Sequence, residues 1–285
     1  MQDRQLSQSG ITRHCSTQAH LGQKTREPCP AIEALYRGNQ EYMKTMGLTN
    51  PGLLQDLANE GQRPPFMLVD CSDSRVNEQG IFSAKPGTIF TAGNVANQFD
   101  EADISSSAVL AYALSTLKVK HVVVLGHYGC GGVAASMLPF QSPLQPPPLP
   151  TVEAEKQGLQ LQFSPADLAV QSWIHNIRDL YETSERSEIA RHREEQPRME
   201  ELPHLHCPAF RALVEENVKA NVKRISDSAL IRHHYAHDQG AVYVHGWVYD
   251  VESGEVSDLG ISAGPPGKEV PPTPFPLVGS STFGK

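Results

Sequence analysis

The sequence predicts an α/β fold, a mainly parallel central sheet flanked by helices with an added C-terminal strand. Two observations carry that prediction. Short apolar runs alternate along the chain with stretches of helical periodicity, the order expected when helices cross over between parallel strands. The strongest run, His121-Val122-Val123-Val124-Leu125-Gly126, is β-branched and lacks polar alternation, as suits a parallel strand buried on both faces.

Taken in order, residues 1–30 are polar and aperiodic and read as a disordered tail. From residue 31 the pattern turns helical, with Ile32, Leu35, Tyr36, Tyr42 and Met43 on one broad face. A short helix follows over 53–58 and stops at Gly61-Gln62-Arg63-Pro64-Pro65. Strands are expected at 66–70 and 87–92, and a helix over 104–117. The strand at 121–126 comes next. A proline-rich insertion then occupies about 139–165, and a long helix runs from 166 to about 193. Another helix covers 210–235. The last strand spans 241–250, turns at 252–255 and pairs with 256–261. The folded domain is thus 31–262, and the Pro- and Gly-rich stretch 263–285 reads as a second disordered tail.

Composition narrows the possible roles. A net charge of -8 disfavours general binding to nucleic acid or to an anionic membrane surface, since both need a basic face. No run approaches the ~18 apolar residues of a membrane helix. Five cysteines without a secretory leader do not form a disulfide framework, so a reducing compartment, the cytoplasm, is expected. Arg4, Arg13, Lys24 and Arg26 against Asp3 and Glu27 give the first 30 residues a weak transit-peptide character, which makes mitochondria the alternative.

Two short motifs carry the chemistry: Cys71-Ser72-Asp73-Ser74-Arg75 and His127-Tyr128-Gly129-Cys130-Gly131-Gly132. Each closes a predicted strand, the edge at which open α/β sheets place their ligands. Cys71, His127 and Cys130 offer two thiolates and an imidazole, a zinc set with its fourth place open, which is the pattern of a catalytic site. The competing reading is two ordinary buried cysteines. The placement after strands and the pair Asp73–Arg75 favour the metal. Asp73 could be a fourth ligand, or Arg75 could hold its carboxylate off the metal in a bidentate pair. A plain turn salt bridge is the bland alternative. A cysteine-phosphatase loop is excluded, because Arg75 follows Cys71 by only four residues, too few for that loop to close. No Cys-x-x-Cys redox motif is present. The histidines at 204, 206, 233, 234 and 237 read as surface residues, since His233 and His237 have helical spacing but no third ligand.

These paired motifs, with Val244-His245-Gly246-Trp247-Val248-Tyr249-Asp250, resemble the β-class carbonic anhydrases and their plant-like branch, over about Ile32 to Ser262. The resemblance implies a zinc enzyme that hydrates carbon dioxide reversibly to bicarbonate and a proton through a zinc-bound hydroxide. It implies Cys71, His127 and Cys130 as zinc ligands and Asp73 and Arg75 as the catalytic dyad gating the fourth position. Gln62 would hydrogen-bond substrate, and Phe90, Val95 and Tyr112 would form its apolar pocket. It also implies a homodimer or higher homo-oligomer, with the helices from Ile32 embracing the neighbouring subunit. One departure stands out: Gly93 occupies the place where the family usually has an arginine. Two thiolates should place the pKa of bound water above the ~7 of an all-histidine site, so activity should rise towards alkaline pH. Tyr128 and buffer are both candidates for carrying the proton. Two rivals remain on the sequence alone: a same-fold hydrolase of another heterocumulene such as carbon disulfide, and a non-catalytic zinc-stabilised interaction protein.

Overall fold

The computed structural model describes residues 29–139, 164–196 and 201–280. The chain divides into two compact units after Gly61. The first holds α1 (Pro30–Thr49) and α2 (Leu53–Glu60). Proline at the first turn of α1 suits a position whose N–H has no helical partner. The apolar face read from the sequence is solvent-exposed: Ile32, Leu35, Tyr36, Tyr42 and Met43 all lie open, and only Met46 of α1 is buried.

The second unit is built on a five-stranded sheet. Its strands are β1 (Phe66–Cys71), β2 (Ile89–Asn94), β3 (His121–His127), β4 (Tyr243–Tyr249) and β5 (Val256–Asp258), in the order β2-β1-β3-β4-β5. The first four are parallel, and β5 returns antiparallel to β4. The predicted sheet and its added strand are therefore present. β1 and β3 are neighbours, with Asp70 beside Leu125, so their carboxyl ends emerge together. That adjacency places the two sequence motifs side by side.

Ten helices are described: after α1 and α2 come α3 (Glu78–Ile81), α4 (Ile104–Tyr112), α5 (Gly131–Met137), α6 (Pro165–Trp173), α7 (His175–Thr183), α8 (Ser187–Glu195), α9 (Pro208–Ser226) and α10 (Ala229–Ala236). The expected helix over 104–117 is α-helical only to Tyr112. It then widens into a π turn, Ala113–Leu117, and ends at a left-handed Lys118. α9 lies across β3 and β4 and explains two strand glycines. A Cβ at Gly126 would stand 2.4 Å from Val218 Cγ2, and one at Gly246 would stand 3.0 Å from Val222 Cγ2. On this face Val122, Val124, Leu213, Val214 and Val218 form part of a fully buried core.

Three expectations need correction. The long helix from 166 to 193 is three helices, broken at Ile174 and at residues 184–186. Arg186 at the second break pairs with Glu215 and Glu216 of α9 and reaches Ala212 O, while Ile177 and Ile189 on either side are both fully buried. Bending the chain around α9 buries apolar surface that a straight helix would leave in water. The helix over 210–235 also breaks, because Ser228 Oγ caps a new helix by accepting from Ile231 N–H. The third correction concerns the C-terminal stretch. Residues 263–280 are not a loose tail: Ala263 exchanges both backbone hydrogen bonds with Val244, and Val278 N–H donates to Asp258 O at 2.9 Å. Phe275 then packs on Trp247 at 4.6 Å between ring centroids, covering the sheet face opposite α9. A proline-rich segment has no periodicity to announce such docking. Residues 1–28 of the expected N-terminal tail, 140–163 of the insertion and the last five residues lie outside the described residues.

Candidate metal centre

Cys71 ends β1, His127 ends β3, and Cys130 follows the turn out of β3. Gly129 makes that turn with φ of 76°, a left-handed conformation that glycine adopts without cost. The three side chains converge, buried, with their donor atoms all within 4.8 Å of one another. Among the described residues, no other such group of His, Cys, Asp and Glu forms.

The triad fits zinc on its own geometry. The two sulfurs stand 3.9 Å apart; thiolates about 2.3 Å from a tetrahedral zinc stand roughly 3.8 Å apart. His127 Nδ1 lies 3.1 Å from the Tyr128 carbonyl, to which its N–H donates, so the lone pair sits on Nε2. Nε2 is fully buried and without a hydrogen-bond partner, an orphaned atom that a metal would satisfy. Held so close, the thiols share a proton. The hydrogen bond from Cys130 draws the Cys71 thiol down, and that same bond together with burial pushes Cys130 up. One thiolate is therefore ready for a cation.

Asp73 and Arg75 form the bidentate pair the sequence allowed. Asp73 Oδ1 accepts from Arg75 Nε at 2.9 Å and from its backbone N–H at 2.9 Å, and Oδ2 accepts from the guanidinium at 2.6 Å. Those bonds hold the Asp73 carboxyl at about 2. The guanidinium also donates to Gly129 O at 2.9 Å, tying the first motif to the second. Asp73 Oδ2 is 3.8 Å from His127 Nε2, beside the triad but engaged by Arg75.

The expected pocket residues divide. Val95, directly after β2, borders the triad: its Cγ1 would lie 2.9 Å from a Cβ on Gly132, and its carbonyl accepts from Trp173 Nε1 at 2.8 Å. Phe90 and Tyr112 face each other at 5.9 Å, but Phe90 sits beside Met67 in β1. That is four residues, about 13 Å of strand, from Cys71. Gln62 is exposed and precedes the far end of β1. Within one chain, then, Val95 lies against Gly132, two residues from Cys130, whereas Phe90, Tyr112 and Gln62 lie towards the other end of the strands. Tyr128 is buried with its hydroxyl donating to Glu215 at 2.8 Å and the Arg211 guanidinium 3.4 Å over its ring. Burial and the Glu215 charge push its hydroxyl pKa up, so it is no proton carrier.

Sequence reading missed the polar residues behind the site. Glu215, Asn217 and Asn221 are buried on α9 among Leu213, Val214, Val218 and Val222. Polar positions inside an otherwise apolar helical stripe were the available signal. Asn217 Nδ2 and Gln98 Nε2 each donate to Ala96 O at 3.0 Å, and Ala96 N–H donates to Cys71 Sγ at 3.4 Å. On the opposite face of the sheet, Phe66, Leu68, Phe82, Trp247 and Phe275 line an apolar cavity of about 450 Å³, which the sheet separates from the triad.

Residues 66–256 match the family model described as carbonic anhydrase. A carbonic anhydrase of Emericella nidulans is 30% identical over 80% of this chain and 83% of its own length. One from Saccharomyces cerevisiae is 28% identical over 78% of this chain and 86% of its own. Among solved structures, a tetrameric β-carbonic anhydrase of Sordaria macrospora superposes with a TM-score of 0.61 at 25% identity, covering 82% of this chain and 98% of that one. The β-carbonic anhydrase CafA of Aspergillus fumigatus gives 0.61 at 29% identity, covering 81% and 91%.

Proposed function

The chain belongs to the β-carbonic anhydrases, zinc enzymes that hydrate carbon dioxide reversibly to bicarbonate, and we propose how its own residues carry that reaction. Cys71, His127 and Cys130 hold the zinc. When bound, zinc supplies a Lewis acid that makes water a nucleophile near neutral pH. The convergent, buried triad with its orphaned His127 Nε2 is the observation that carries this assignment.

Arg75 grips both oxygens of Asp73 and so would keep that carboxylate from binding a metal held by the triad. Oδ2 remains on the triad side, where it accepts a hydrogen bond from the attacking water and orients it. Because Arg75 holds the carboxyl ionised, Asp73 stays an acceptor across the working pH range. Val95 presents an apolar wall to the substrate, which has no charge to pair. Tyr128 is turned away into its bond with Glu215 and does not carry the product proton.

Gln62, Phe90 and Tyr112 serve the site from a second copy of the chain in a homodimer or larger assembly. Two features support this: none of the three reaches the triad of its own chain, and α1 carries an exposed apolar face. The Sordaria macrospora relative is described as tetrameric. Light scattering at assay concentration checks the assembly. Cys71, Cys130 and Cys207 are reduced thiols, which accords with a cytoplasmic enzyme; imaging the chain with and without residues 1–30 tests that placement.

Asp73→Asn tests the mechanism. It should retain one zinc per chain and lose CO2 hydration by at least about 10²-fold. Undiminished hydration would sink the role given to Asp73.

A further inference from the structure

Ala96 and Asn97 both hold positive φ, 63° and 47°, a backbone conformation that side chains disfavour. Ala96 is also fully buried, with its methyl 3.0 Å from the Cβ place of Gly132. Asn94 ties the ends of this turn, its Oδ1 accepting from Gln98 N–H at 2.7 Å and its Nδ2 donating to Gln98 O at 2.8 Å, and two more bonds meet on one atom at its centre. Asn217 Nδ2 and Gln98 Nε2 both donate to the Ala96 carbonyl at 3.0 Å. Asn217 is itself fixed: its Oδ1 accepts from Gln98 Nε2 and from Asn221 Nδ2, and its side chain has no exposure to solvent. On the other side of the same residue, Ala96 N–H donates to Cys71 Sγ at 3.4 Å.

We infer that Asn217 is a positioning residue for the metal. By gripping the Ala96 carbonyl it keeps the strained turn in place, and the turn aims the Ala96 N–H at the Cys71 sulfur. The inference rests on Cys71 being a zinc ligand. It deepens that reading, because a partner behind a ligand commonly sets metal affinity as much as the ligand's own surroundings do. A purely structural amide cluster would instead stabilise the fold and leave the metal indifferent.

The two roles separate in the zinc affinity of folded protein, read by competition with a chromogenic chelator well below the melting temperature. Asn217→Leu keeps the branched shape and removes the donor, and should weaken zinc binding about 10-fold or more. Asn217→Ser, too short to reach the carbonyl, carries the same expectation should the leucine variant not fold. Adding Ala96→Gly to either should recover about threefold or more, since glycine holds a left-handed turn without help. Val218→Ala is the control. It is the next residue on α9 and truncates the core beside Gly126. It should lower the melting temperature comparably and keep zinc affinity within about twofold of the parent. Parent-like affinity in the Asn217 variants overturns the inference, as does an equal loss of affinity in Val218→Ala. A parent chain that binds no zinc would instead sink the ligand assignment.

Discussion

His245 should govern how the fold fails in acid. It lies on β4, buried, with Nε2 3.0 Å from His121 Nδ1 and Nδ1 2.9 Å from Ser262 Oγ. The Tyr243 and Trp247 rings flank it on the same strand. Among the described residues, no carboxylate forms an ion pair with it. Burial, and then the second imidazole, pull its pKa from 6.5 to about 4. A histidine kept neutral by the fold contributes its stability above the unfolded pKa and loses it as pH falls towards the folded one. Between pH 7 and pH 4 that loss is about 3 kcal/mol, taking roughly 1.36 kcal/mol per unit. His245→Asn is neutral throughout and should not pay it. Urea unfolding of zinc-loaded parent and variant across that range gives two curves. Acid losses common to both proteins cancel in the difference. The variant should be less stable at pH 7, by about 1–2 kcal/mol for its lost hydrogen bonds, and should equal or exceed the parent near pH 4. Parallel curves would refute the reasoning.

Other perturbations follow from particular contacts. Arg186→Met leaves the buried Glu215 without its cation, now 2.7 Å away, and should cost about 3–5 kcal/mol in chemical unfolding; Glu215→Gln in the same chain should return much of it. Gly126→Ala drives a methyl into Val218 Cγ2 and should cost about 1–3 kcal/mol, with Val218→Ala rescuing the double variant in thermal melts. Phe275→Ala uncovers Trp247 and should cost about 2 kcal/mol with red-shifted tryptophan emission.

The parts of this protein legible in its sequence are those fixed by local pattern. A β-branched run such as Val122-Val123-Val124 has few alternatives to a buried strand, and a motif that closes two such runs lies at one sheet edge. That pattern brings Cys71, His127 and Cys130 together and their donor chemistry suits a metal, while the resemblance of the two motifs to the β-class carbonic anhydrases is what singles them out as ligands. Residues 165–195 defeated the same reasoning, because helical periodicity continues through Ile174 and Ser184 while the chain bends. The bend is dictated by α9, which is distant in sequence. Phe275 was unreadable for a similar reason: its partner, Trp247, is one strand and a turn away. Phe90, Tyr112 and Gln62 are a different case, since their positions in one chain leave them apart from the triad whatever the pattern says.

Strand ends bring Cys71 and His127 to the same edge, but an edge fixes position only to within the freedom of the loops that leave it. α9 removes that freedom from both sides. Glu215 holds the hydroxyl of Tyr128, whose carbonyl accepts a hydrogen bond from His127 Nδ1–H. Two residues further along, Asn217 holds Ala96, whose N–H meets Cys71. Val214 and Val218, around them on the same helix, press on Gly126 of β3. A helix that offered only apolar side chains would bury the sheet equally well and leave both ligand loops unheld. The polar breaks in its apolar stripe are therefore where packing becomes site geometry, because each satisfies its own buried hydrogen bonds on a backbone or side-chain group one step from a metal ligand.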